Sequence, residues 1–135
     1  FSYRDFTAGP DRILEKLNFG RAHHRVIYFV GKKDKITIKE LLGVLKITKQ
    51  SLSRVLNQLV KEGFIVVSTG LDKRTKNLSL TSSGLGLENE LSTIQMQKIK
   101  KVINNFNQED IDGFKKILYE MIEIDNKKTF QHLNE

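Results

Sequence analysis

The 135-residue chain contains no cysteine. That absence removes disulfide frameworks, thiolate zinc sites, cysteine nucleophiles and thiol redox sensing together, and it fits a cytoplasmic setting. Long apolar runs are missing as well. The longest are Val26–Val30 and Phe64–Val67, far short of the roughly 20 residues that a membrane-spanning helix needs, so no membrane partner is expected. Residues 1–20 lack the basic start and following apolar stretch of a secretory signal. There is no internal repeat, phosphate-binding glycine loop, nucleophile elbow or metal-binding pair of side chains. An enzyme is therefore not expected, nor a cofactor.

What is present is the composition of one globular domain, 39 % hydrophobic and 29 % charged, enough to build a real core. The formal net charge is +7, and its placement says more than its size. Residues 32–76 carry eleven Lys/Arg against four Asp/Glu, whereas the segments on either side are nearly balanced. A clustered basic patch attracts a polyanion, while evenly spread lysines mostly serve solubility. Charge alone leaves a merely solvated basic surface open.

Apolar spacing predicts a largely helical chain. Ile13, Leu14 and Leu17 recur at helical intervals after Pro10 and Asp11, residues suited to a helix start. A second helix is predicted from Arg21 to Gly31, with Ala22, Val26, Phe29 and Val30 on one face. Thr37 and Glu40 stand at capping-box spacing before Leu41, Leu42 and Leu45. Thr48 then opens a longer helix ending at Gly63. Its Leu52, Val55, Leu56 and Leu59 form one stripe, and Gln50, Ser53, Arg54, Asn57 and Lys61 form the opposite, polar face. Two short helices with the second presenting a polar face make a helix-turn-helix.

Period 2 follows. Residues 64–68 and 77–81 read as strands, and the turn between them bears Lys73, Arg74 and Lys76, as a basic wing does. The remainder reads as two helices, about 82–106 and 108–124, followed by a tail at 126–135 that holds His132, which is given no role. The expected fold class is mainly α (α+β): a winged helix-turn-helix lobe at 32–81 with a two-stranded wing, and helical regions at 1–20 and 82–125.

Three segments carry a family resemblance. They are Leu41 with Leu45 through Leu56, the join Leu59-Val60-Lys61-Glu62-Gly63-Phe64-Ile65, and Asp72-Lys73-Arg74 followed by Leu80-Thr81-Ser82-Ser83-Gly84. In that order and spacing the chain resembles the MarR (multiple antibiotic resistance regulator) family. Gly20 through Val26, with Ile47 through Ser51, is similar to its PetP-like branch. The resemblance implies a homodimeric transcriptional regulator that binds double-stranded DNA. It also implies dimerisation through the first and last helices, and in many relatives a small aromatic or phenolic effector.

In a helix-turn-helix the second helix enters the major groove, where base edges are distinguishable. Gln50, Ser53, Arg54 and Asn57 are the candidates for base contact. Thr37, Thr48, Lys49 and Ser51, near helix N-termini, are the candidates for phosphate contact; Thr37 and Thr48 are alternatively caps alone. Lys73 and Arg74 would lie at the minor groove, with Arg74 the wing arginine by resemblance, Asp72 an orienting partner and Lys76 a phosphate contact. The resemblance places an effector cleft beside the helix around His23, His24, Arg25 and Tyr28, with His24, Arg25 and Tyr28 as the candidate contacts and Arg25 the one to meet a carboxylate; a packing or surface role for the histidine pair stays open. Two DNA-free or less specific readings stay open: a winged-helix module that binds protein, and an architectural protein that binds DNA without sequence preference.

Overall fold

The computed structural model describes residues 1–70 and 72–134. Among the described residues, seven helices and three short strands follow one another in the order α1 (Ser2–Lys16), α2 (Arg21–Lys32), β1 (Ile36–Thr37), α3 (Ile38–Leu45), α4 (Lys49–Lys61), β2 (Ile65–Thr69), β3 (Lys76–Leu80), α5 (Ser82–Ile103), α6 (Gln108–Glu120) and α7 (Ile124–Asn134). The fold is the winged helix-turn-helix expected from the sequence, mainly helical with a small antiparallel sheet.

The core is formed by α1 to α4, the sheet and the first half of α5. Leu14, Ile27, Ile36, Leu41, Leu52 and Leu91 are among its fully enclosed side chains. Among the described residues nothing beyond Leu91 is buried. The face of α2 is centred on Val26, Ile27 and Val30, while Ala22, expected inside, is exposed.

Local chemistry explains most element ends. The Thr37 hydroxyl accepts from the Glu40 N–H at 3.2 Å, and the Glu40 carboxylate accepts from the Thr37 N–H at 2.8 Å, the reciprocal capping box. The Thr48 hydroxyl accepts from the Ser51 N–H at 3.1 Å. At the other end of α4, Gly63 has φ +78°, and the N–H groups of Gly63 and Phe64 donate to the carbonyls of Val60 and Leu59. This left-handed cap turns the chain straight into β2. Gly84 lets α5 start against that join, because a Cβ there would stand 2.1 Å from the Phe64 carbonyl oxygen.

Three expectations are corrected. The first helix starts at Ser2, with Pro10 inside it rather than at its head. Proline in a helix interior costs about 3 kcal/mol. Here Pro10 and Leu14 are buried and Lys98 of α5 donates to the Asp5 carbonyl, so packing along α5 outweighs the missing N–H. The wing has a third strand: β1 pairs antiparallel with β3, Ile36 opposite Leu78, giving the order β1-β3-β2. Two residues are too short to show alternation. Residues 126–135, expected as a tail, are helical through Asn134. Phe130 meets Tyr119 edge-on at 6.0 Å, and Lys127 pairs with Glu120 at 2.8 Å, so α7 packs on α6 through its own side chains.

Candidate nucleic-acid interface

The stripe Leu52–Val55–Leu56–Leu59 is buried, which forces the other face of α4 outward. Lys49, Gln50, Ser51, Ser53, Arg54, Asn57 and Lys61 are all exposed. Among the described residues none of Gln50, Ser53, Arg54 and Asn57 has an intrachain side-chain partner, so their donors and acceptors face solvent. Lys61, one turn beyond Asn57, completes the ridge. It was absent from the contacts expected from sequence, although its i+4 spacing from Asn57 was the available signal.

The caps have a second consequence. The Thr48 hydroxyl donates to the Ser51 hydroxyl at 2.9 Å while accepting from the Ser51 N–H. The Thr37 hydroxyl donates to the Glu40 carboxylate at 2.8 Å. Both threonines are therefore caps whose hydroxyls are already engaged. Glu40 is held by the Lys33 ammonium at 2.8 Å. That bond, with the Thr37 N–H, lowers its carboxyl from the ordinary 4.5 to about 2 against the opposing effect of partial burial.

The wing is shaped by hydrogen bonds at its tip. The Gly70 N–H donates to the Thr75 carbonyl at 2.9 Å and the Thr75 N–H to the Asp72 carbonyl at 2.8 Å. The Asp72 carboxylate accepts from the Arg74 N–H at 2.9 Å. Asp72 thus folds the turn through the backbone of Arg74. Lys73, Arg74 and Lys76 are exposed. Between α4 and the wing runs a groove of about 490 Å³, floored by Leu52, Leu56 and Leu78 and rimmed by Ser53, Asn57 and Lys61.

The α2 residues point in different directions. The His24 imidazole is pushed below its ordinary value by burial, against the opposing charges of Asp11 and Glu88. Arg25 donates to the Leu45 carbonyl at 2.9 Å, bracing the end of α3. Tyr28 is 41 % exposed and packs edge-on against Phe29 at 5.2 Å.

Comparison with known proteins agrees with this geometry. Residues 17–75 match the family model described as MarR family. The HTH-type transcriptional regulator PetP of Rhodobacter capsulatus is 39 % identical over 136 residues, covering all of this chain and 82 % of that protein.

The chain belongs to the MarR family. As a member it is a transcriptional regulator and not an enzyme. Solved structures of the family share the fold. Wild-type MarR from E. coli in its apo form superposes with TM-score 0.69 at 20 % identity, over 90 % of this chain and 91 % of that one. A MepR–DNA complex from S. aureus superposes with TM-score 0.69 at 20 % identity, over 88 % and 89 %. No helix among the described residues is long and apolar enough to cross a membrane.

Proposed function

We propose that this MarR-family chain acts in the cytoplasm as a homodimer that recognises a pseudo-palindromic operator in double-stranded DNA. In this reading α4 lies in the major groove and the wing, residues 70–76, reaches the minor groove. The lobe 32–81 carries the DNA contacts, and the helical segments 1–20 and 82–125 carry the dimer. The observation behind it is the unpartnered polar ridge Gln50, Ser53, Arg54 and Asn57, exposed between flanking lysines. Arg grips a guanine edge and Gln or Asn an adenine edge, each such pair worth about 1–3 kcal/mol of discrimination. Lys49 and Ser51, and Lys76 of the wing, meet phosphates. Lys73 and Arg74 follow the negative potential of a narrow minor groove. The engaged hydroxyls of Thr37 and Thr48 contribute through the helix ends they cap.

The far end of the molecule supports the dimer. Phe114 and Ile117 of α6 and Met121 just after it are 62 %, 63 % and 74 % exposed, and Val102 near the end of α5 and Phe106 just beyond it are also open. An apolar surface this continuous marks an interface. A two-fold axis there sets two α4 helices on successive major grooves, about 34 Å apart. An effector such as a small aromatic or phenolic acid would enter beside His24 and Tyr28.

The test is binding of the purified chain to its own upstream DNA and to a scrambled duplex across a salt series, with Arg54→Ala beside the wild type. A preference of about a thousandfold, eroded by the substitution, supports operator recognition. Equal and steeply salt-dependent affinity for both duplexes leaves only phosphate attraction and favours an architectural protein. No binding at low salt ends the DNA reading.

A further inference from the structure

The inner side of α4 carries a polar network that the DNA-reading ridge does not use. The Gly20 N–H donates to His23 Nδ1 at 3.0 Å. Nδ1 must therefore be unprotonated, and Nε2 carries the ring proton and donates to Gln58 Oε1 at 2.9 Å. The same Gln58 carboxamide donates through Nε2 to the Asn18 carbonyl at 3.3 Å. Each donor in the chain has one acceptor, so the imidazole tautomer and the amide orientation are set together. Asn18 lies at φ +54° in the elbow between α1 and α2. The next residue, Phe19, is buried, stacks on the His23 ring at 4.7 Å and meets Phe64 edge-on at 5.4 Å. Phe64 is the residue from which the wing springs.

We propose that His23 and Gln58 are positioning residues that fix the roll of α4, and with it the base-reading ridge, to the α1–α2 elbow. This rests on the reading of α4 as the recognition helix. Gln58 stands one turn after Arg54 and next to Asn57, so the angle at which α4 is held sets where both tips fall. A helix is about 10–12 Å across with its side chains, so a roll of roughly 10° moves a tip by about 1 Å. That displacement takes a hydrogen bond at its usual length out of range. Phosphate attraction to flexible lysines tolerates it. The relay therefore governs discrimination between sequences more than attraction to DNA. Through Phe19 and Phe64 the same elbow also braces the wing root.

The experiment uses the full chain with Gln58→Met, His23→Phe and the double variant, each checked for an unchanged melting temperature within a few degrees. Operator and scrambled-duplex affinities are measured together. The expected result is a roughly tenfold loss on the operator for each single variant, little change on the scrambled duplex, and a double variant no worse than either single one. Equal losses on both duplexes, or additive losses in the double variant, would overturn the relay, as would full retention of operator binding. Ring-nitrogen NMR of His23 at about pH 8 reads the network without DNA: an Nε2–H tautomer is expected in the wild type, with its Nε2–H resonance shifted and exchanging faster with solvent in Gln58→Met, and an unchanged Nε2–H resonance refutes the link. If wild type binds both duplexes alike while the tautomer behaves as stated, the recognition reading fails and the network does not.

Discussion

The Asp72 carboxylate accepts a hydrogen bond from the Arg74 N–H at 2.9 Å, so an acidic residue shapes the tip of a basic wing. Its oxygen is the useful part and its charge is not. Asp72→Asn, which keeps an acceptor, should leave operator affinity within about twofold, whereas Asp72→Ala should weaken it by about threefold to tenfold, the equivalent of one net hydrogen bond. Fluorescence anisotropy on a labelled operator decides. Equal losses for both variants would point to charge instead.

Arg74 and Lys73 are exposed at that tip and are proposed to act by attraction to the DNA backbone and minor groove. Arg74→Ala should reduce the slope of log affinity against log salt by about one and weaken all duplexes to a similar extent. Arg54→Ala, by contrast, should chiefly erode discrimination. Salt titrations of the two variants side by side separate these roles.

Glu40 is bonded to Lys33 and to the Thr37 N–H, which lowers its carboxyl from 4.5 to about 2. A carboxylate depressed on folding contributes stability above its unfolded value and loses it as pH falls through the folded one. The contribution should therefore be full at neutral pH and fade between about 4.5 and 2. With the Glu40 side chain 41 % exposed, solvent screening keeps the total near ~1 kcal/mol, most of it from the cap. Thermal melts of Glu40→Gln and wild type should differ at neutral pH and converge toward the acid end of that window.

A methyl group at position 84 would stand 2.1 Å from the Phe64 carbonyl oxygen, a backbone atom with no room to retreat. Gly84→Ala should destabilise the chain by about 1–3 kcal/mol, lowering the melting temperature by about 3–10 °C. A wild-type melting curve would show that α5 can slide away from the wing root.

No residue of α6 is buried within the chain. Phe114→Glu should therefore leave the lobe folded, with unchanged helicity, while shifting the wild-type dimer toward monomer in sedimentation velocity and cutting operator affinity at least tenfold by loss of the second half-site. A monomeric wild type would remove the dimer from the proposed function.

Much of this was legible from residue order. Capping chemistry spans three residues, and a helix face repeats within two turns, so Thr37 with Glu40, Thr48 as a cap, and the opposed faces of α4 could be read directly. The basic wing and the join at Gly63 were equally local. The chain by itself therefore determined the elements of the helix-turn-helix, the polar ridge and the family. Tertiary structure decided the rest. Pro10 sits inside α1 because packing against α5 outweighs a lost N–H. Ile36 becomes a strand only because Leu78 is there to pair with it. Residues 124–134 turn helical where Phe130 finds Tyr119. Asp72 turned out to bond a backbone, Arg25 a carbonyl of α3, and His23 a glutamine 35 residues away. Except for the Asp72 turn, whose acceptor and donor lie two residues apart, these partnerships join positions far apart in sequence, and no periodicity records which distant group will satisfy a donor once the chain has closed around it.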